Sequence, residues 1–284
     1  MRFRLARPGT TGTRVYRVAA GEVEERPDEL ATEEPLEIRL IQEGRTRTVA
    51  ITMRTPGSDS ELALGFLFAE GVIQRRDEVR RAEPTTPNVV EVELVEGLAE
   101  PELAGLERHF FATSACGVCG KAGLESLELR ITEPLPPGPE VSPAVLAGLP
   151  ERLREAQGLF ATTGGLHAAA LFDLEGNLLA VREDVGRHNA LDKLIGWSLL
   201  EGLLPLSDHL VLVSGRSSYE ILQKCLVAGV PIVAAVSAPS SLAVELAERF
   251  GLTLIGFLRG DRFNIYSGAG RVSGVRVRTA LQTL

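Results

Sequence analysis

Apolar and polar residues alternate along Leu36-Glu-Ile-Arg-Leu-Ile and again along Thr46-Arg-Thr-Val-Ala-Ile-Thr-Met, on either side of Glu43-Gly44-Arg45. That is the pattern of a hairpin with one buried face. Thr55-Pro-Gly-Ser-Asp-Ser then supplies capping residues for Glu61-Leu-Ala-Leu-Gly-Phe-Leu-Phe-Ala-Glu, a predicted helix that Gly71 is placed to stop. A third alternating run, Val89-Val-Glu-Val-Glu-Leu-Val, follows the turn Pro87-Asn88. Residues 1–132 are therefore expected to form a small α+β domain.

The prolines of Glu133-Pro-Leu-Pro-Pro-Gly-Pro support neither helix nor central strand, so residues 133–141 are expected to be a linker. Beyond it, in residues 142–284, the pattern changes. Ser142-Pro143 opens a predicted helix to about Gln157, and Ala168-Ala-Ala-Leu-Phe and Leu178-Leu-Ala-Val are predicted strands around Glu175-Gly-Asn. A helix from about Gly186 follows. Short strands without polar alternation (His209 to Ser214, Pro231 to Ser237, Leu252 to Phe257) then alternate with amphipathic helices (Tyr219 to Ala228, Leu242 to Phe250). Such strands imply a sheet covered on both faces, so the expected class is α/β.

At 284 residues and 44% hydrophobic content the chain is long enough for two compact domains, each with its own core. A net charge of −8 argues against a general nucleic-acid binder, while Arg182, Arg187 and Arg216 are candidates for a local phosphate-binding patch. The sequence lacks an apolar run of spanning length, and Met1-Arg-Phe-Arg-Leu-Ala-Arg-Pro lacks a secretion-type apolar core, so the expectation is a cytoplasmic protein without membrane contact. An odd number of cysteines, three, fits a reducing compartment.

Two of those cysteines lie in Ser114-Ala-Cys-Gly-Val-Cys-Gly120, followed by Lys121. Gly117, Gly120 and Gly123 predict an open backbone that exposes Cys116 and Cys119, and a neighbouring lysine favours the nucleophilic thiolate. A structural zinc site needs four ligands; beyond the pair the chain has Cys225 and four histidines, none in a second C-x-x-C or H-x-x-x-H pattern. No metal is therefore expected within one chain. The pair follows His109-Phe-Phe-Ala-Thr rather than closing a strand into a helix, which is not the thioredoxin context. The residues alone leave open a sulfur-carrying or catalytic role, a redox pair, and a metal site. Cys225, between Leu222 and Leu226 of an amphipathic helix, is expected to be a core thiol.

Two further turns share one design. Ser214-Gly-Arg-Ser-Ser-Tyr-Glu and Ser237-Ala-Pro-Ser-Ser-Leu-Ala each leave a buried strand and open a helix with paired serines. Either one alone is ordinary capping. On successive crossovers they lie together at the carboxyl edge of a sheet, where helix starts hold phosphates, so Ser214, Arg216, Ser217, Ser237 and Ser240 are candidates for a nucleotide-like ligand. Asp184-Val-Gly-Arg-His-Asn-Ala-Leu-Asp-Lys adds Arg187 and Lys193 for phosphate, Asp184 and Asp192 as acceptors, and His188 as a proton carrier. Thr162-Thr-Gly-Gly-Leu-His167 is either a loop that approaches a ligand or a connection with a core histidine.

These blocks, with Met53-Arg-Thr-Pro-Gly, Glu61-Leu-Ala-Leu-Gly-Phe, Gly165-Leu-His-Ala-Ala-Ala and Leu252-Thr-Leu-Ile-Gly-Phe-Leu-Arg-Gly-Asp-Arg, resemble in order the FdhD family of formate dehydrogenase accessory sulfurtransferases. The resemblance implies a cytoplasmic homodimer that takes persulfide sulfur from a cysteine desulfurase. It implies transfer of that sulfur to a molybdenum or tungsten bis(molybdopterin guanine dinucleotide) cofactor, which the protein binds, for activation of formate dehydrogenase; GDP is then a fragment ligand. It further implies a C-terminal three-layer domain similar to cytidine deaminases, with Cys116 as the persulfide carrier and Phe257, Leu258, Arg259, Gly260, Asp261 and Arg262 as a cofactor-contact segment. A zinc nucleoside deaminase would share that fold, but its signature sets H-x-E before P-C-x-x-C. Here the order is reversed, and alanine replaces the glutamate in His167-Ala-Ala. A cofactor chaperone without sulfur chemistry remains the alternative.

Overall fold

The computed structural model describes residues 9–98 and 134–275. Strands β1 (Thr10–Ala19) and β2 (Glu22–Ala31) form a hairpin of their own, in a stretch whose residue pattern assigns no element. Next come β3 (Glu34–Gln42), β4 (Arg45–Arg54), α1 (Asp59–Ala69), β5 (Val79–Thr86) and β6 (Val89–Leu94). The last four strands make one sheet in the order β4-β3-β6-β5, with β3 parallel to β6. Leu36, Ile38, Leu40, Val90, Val92 and Leu94 are buried. Period-two alternation puts Glu37, Arg39, Glu91 and Glu93 on the other face, where Arg39 grips Glu37 with two bonds of 2.9 and 2.8 Å. β5 carries little apolar pattern because it is an edge strand, and Pro84 sits where a central strand would lose a ladder bond.

The second sheet is built from β7 (His167–Phe172), β8 (Leu178–Asp184), β9 (Leu210–Val213), β10 (Ile232–Ala235), β11 (Thr253–Arg259) and β12 (Arg262–Ser267), in the order β12-β11-β10-β9-β7-β8. β9, β10 and β11 run parallel, and β7 and β12 are antiparallel to their neighbours. One face packs on α2 (Pro143–Ala156), whose Leu146, Leu149 and Leu153 join Ala168, Ala170, Phe172, Leu210, Leu212 and Ile232 in one apolar cluster. A short α3 (Gly158–Thr163) separates α2 from β7. The opposite face, with Ala169, Leu171, Val211, Val213 and Val233, packs with α4 (Arg187–Leu200), α5 (Tyr219–Val227) and α6 (Ser241–Arg249). These are the three layers expected from strands without polar alternation.

The Pro-rich stretch is tied down where the structure describes it. Leu135 N–H donates to Phe250 O at 2.9 Å, and the Arg271 guanidinium donates to Pro136 O at 2.7 Å and to Gly251 O.

The expectation of separate cores is not met. Helix α1 is apolar on every side, with Leu62, Ala63, Leu64, Leu67 and Phe68 buried, because it lies between the first sheet and α4. One cluster therefore runs from Leu36 through α1 and α4 to Val233. The two helices meet backbone to backbone: a Cβ on Gly65 would overlap the Asp192 carbonyl, and a Cβ on Gly196 would overlap that of Glu61. At one end of this crossing Arg182 of β8 holds Glu61, with Nη2 to Oε1 at 2.8 Å, and lies 5.6 Å from the Trp197 ring centroid.

Gly65→Ala and Gly196→Ala are each expected to lower stability by about 1–3 kcal/mol through overpacking. Gly148→Ala, in α2, where a new methyl would meet only the Arg152 guanidinium at 3.9 Å, is expected to gain about 0.5–1 kcal/mol. Urea unfolding of the three variants measures both effects, and equal stabilities would refute the close crossing.

Candidate functional site

Antiparallel pairing brings the start of β7 to the carboxyl end of β9. Ser214 N–H donates to Ala168 O at 2.9 Å, the Ser214 hydroxyl accepts from Ala168 N at 2.9 Å, and His167 lies opposite Asp184. His167, the turn after β9, the turn after β10 and the end of β11 thus share one edge of the sheet. The two serine turns are also bonded to each other. Ser217 N–H donates to Ala238 O at 3.2 Å and Ser240 N–H donates to Ser217 O at 3.0 Å. The amides expected to take phosphate are therefore already engaged. Ser240 Oγ caps α6 by accepting from Ala243 N at 3.3 Å, and Ser237 O accepts from Phe257 N at 3.1 Å.

Beneath this edge lies a buried polar lock. Asp184 is 0% exposed; its carboxylate accepts from Thr55 N at 3.1 Å, Gly186 N at 2.8 Å and Asn189 Nδ2 at 3.1 Å, and pairs with Lys193 Nζ at 2.7 Å. Lys193 also donates to Thr55 O at 2.8 Å, and Asn189 Nδ2 to Met53 O at 2.7 Å. Asp184 and Lys193, expected to face a ligand, instead fasten the loop after β4 to the start of α4. Asp192 is committed as well, to Lys224 Nζ at 2.7 Å. Burial opposes the Lys224 charge, but Asp192 and Glu70 outweigh it and hold the ammonium above its ordinary range. Arg182, engaged with Glu61, is likewise not part of a phosphate patch.

The groups left at the edge are mainly cationic. Arg187 and His188 occupy the first turn of α4, the end of a helix that favours anions, and Arg216 is exposed on the turn after β9. Burial and the neighbouring Arg216 push the Arg187 guanidinium below its ordinary range. Arg187 Nε and Ser217 Oγ are buried with no hydrogen-bond partner among the described residues. His188 Nε2 lies 2.9 Å from Glu220 Oε2 and 3.3 Å from Ser218 Oγ. That bond to His188 holds Glu220 below the usual carboxylate range against the effect of burial. His167 is depressed by burial, then by Arg187, His188 and Arg216, with Asp184 opposing. Glu220, Ser218 and Gly215 were not assigned from the sequence; an acidic residue two positions after the paired serines, in the first turn of the helix they open, was the available signal for the first.

Along the edge, beyond the second serine turn, Phe257 stands 38% exposed with a positive φ of 53°, at a register shift between β11 and β12. Arg259, Gly260, Asp261 and Arg262 are exposed at the tip of that hairpin, while Leu258 points into the core. Cys116 and Cys119 lie outside the described residues. Cys225 is buried in α5, and burial pushes its thiol up to about 12.

A model of the FdhD/NarQ family matches residues 31–273. A "Sulfur carrier protein FdhD" of Streptomyces avermitilis is 50% identical over 275 residues, covering 93% of this chain and 96% of that protein. One of Mycobacterium tuberculosis is 49% identical over 278 residues, 93% of this chain and 99% of that one. A crystal structure of a protein assigned as a formate dehydrogenase accessory protein, from Desulfotalea psychrophila, superposes with a TM-score of 0.73 at 24% identity, over 93% of this chain and 100% of that chain. Among the described residues, no helix is long and apolar enough to cross a membrane.

Lys193→Met strands a buried carboxylate and is expected to cost about 3–5 kcal/mol in urea unfolding; a loss below about 1 kcal/mol, the scale of an exposed pair, would contradict the lock. Cys225 should resist iodoacetamide in the folded protein and react once the chain is unfolded, as peptide mass spectrometry reports. Because its thiol rises from 9.0 to about 12 on folding, its contribution to stability is complete below about pH 9 and fades as pH rises towards 12.

Proposed function

The chain belongs to the FdhD/NarQ family, and from that premise we propose that it is a cytoplasmic, homodimeric sulfurtransferase serving formate dehydrogenase. In this reading the Cys116 thiolate attacks the outer sulfur of a cysteine desulfurase persulfide. The desulfurase cysteine leaves as a thiolate, and Cys116 keeps the sulfur as a persulfide. Cys119 either relays that sulfur or attacks Cys116, releasing hydrosulfide as the pair closes to a disulfide that a thiol reductant must reopen. The acceptor substrate is a molybdenum or tungsten bis(molybdopterin guanine dinucleotide). The curated relatives, called sulfur carrier proteins, support the sulfur half of this reading.

The observation that carries the acceptor half is the gathering of Arg187, His188 and Arg216 at one sheet edge, beside two buried polar atoms with no partner there, Arg187 Nε and Ser217 Oγ. Such a cluster suits a pyrophosphate. Phe257 offers a face on which a guanine can stack, and Asp261, exposed at the hairpin tip, replaces the buried Asp184 as the carboxylate for its N–H groups. Arg259 and Arg262 supply further charge for the remaining phosphates.

After incubation with a cysteine desulfurase and cysteine, mass spectrometry should find one added sulfur on the peptide containing Cys116. Cys116→Ala should bind GDP and fail to activate formate dehydrogenase. Arg216→Ala should weaken GDP binding by roughly ten- to a hundredfold, the loss of one charge-assisted bond, and still form the persulfide. Full activation with both Cys116 and Cys119 replaced would instead mark a cofactor chaperone.

A further inference from the structure

His167 is the titratable group of this edge whose ring has no hydrogen-bond partner among the described residues, although it is half-buried at the first position of β7. Its place is set by close packing. The point where a Gly215 Cβ would stand is 3.3 Å from His167 Nδ1, 3.5 Å from its Cε1 and 3.6 Å from Arg187 Cδ. A side chain in this turn would crowd the ring and the arginine stem, so glycine suits their close packing. The charges around the ring come from three sides. Helix α4 brings Arg187 and His188, and the turn after β9 brings Arg216; the end of β8 brings Asp184. Glu220 of α5 is occupied by His188, and Asp184 by Lys193. Burial first, and the two guanidinium groups after it, disfavour a charge on the ring and hold it below the ordinary histidine range.

An anion that settled between Arg187 and Arg216 would offset the positive charge around this ring. On the reading of the edge as a phosphate site, we propose that His167 is its proton-accepting member: a pyrophosphate with two or more charges binds together with one proton, which the ring takes from solvent. The imidazolium so formed then donates to the phosphate alongside the guanidinium groups. No bond to the ligand is made or broken, and the proton returns to solvent when the anion leaves. Proton uptake scales with ligand charge: a single phosphodiester, with one charge, cancels less of the surrounding positive charge than a pyrophosphate, with two or more, and draws the proton less strongly.

The chain has four histidines, so ring-labelled protein gives four resonances, and His167→Gln identifies the one at issue. Following that resonance from about pH 5 to pH 8, alone and with saturating GDP, should show a midpoint below the ordinary histidine range that rises by about one unit or more with nucleotide. Calorimetry in buffers of different ionisation enthalpy gives the proton count on the whole protein. His167→Gln should still bind GDP, more weakly, and should take up about one proton fewer than the parent. GDP binding with an unmoved His167 midpoint would overturn the inference and leave the phosphate site standing. Absence of GDP binding at every pH would overturn both.

Discussion

The contact on which this structure turns is the crossing of α1 and α4 at Gly65 and Gly196. Two helices that touch through their backbones leave no room for side chains between them, and this proximity carries the first sheet against the second. The approach brings the loop after β4 over the start of α4. There Thr55 presents its amide to Asp184, its carbonyl to Lys193 and its hydroxyl to Val185 N. A buried ion pair is a weak source of net stability, since the cost of removing both charges from water offsets most of their attraction. What the pair contributes is position: Asp184 satisfies amides from two segments distant in sequence, and Gly186, which caps α4, is one of them.

This arrangement explains which parts of the molecule were legible in its sequence. Strands with a solvent face and a core face declared themselves by alternation, as in β3 and β6. The parallel strands did so by unbroken apolar runs. The β1–β2 hairpin did not, because it buries little on either side; Tyr16 is 74% exposed, and Glu22-Val-Glu-Glu-Arg-Pro-Asp-Glu resembles a solvated loop in composition. Gly65 and Gly196 offered no signal, since glycine inside a helix registers locally as a defect and its value lies in a neighbour distant in sequence.

The polar block 183–193 was legible as a dense cluster but not in its division of labour. Composition places charged residues outside, whereas Asp184, Asp192 and Lys193 are almost fully buried and only Arg187 and His188 turn to the edge. That division is a product of tertiary structure: the positions of α4 facing α1 and the loop after β4 are buried whatever their chemistry, and each charge there needs a partner from another element. The serine turns show the same effect. Spacing identified them as a pair at a sheet edge, but their mutual hydrogen bonds depend on the separation of β9 and β10, which spacing does not give.

Because the Ser217 and Ser240 amides are both engaged in bonds between the two turns, an anion bound at this edge as proposed would be held chiefly by side-chain charge. The two arginines nearest it live in different dielectric surroundings. Arg216 is exposed, so mobile ions at physiological strength, with a screening length of about 8 Å, dilute its pull. Arg187 is largely shielded from those ions, with its Nε out of reach of water. On the proposed reading, ionic strength would therefore act on the two halves of the seat unequally. Rising salt would weaken the outer half, which would govern capture from solution, and spare the inner half, which would govern how long a captured anion stays.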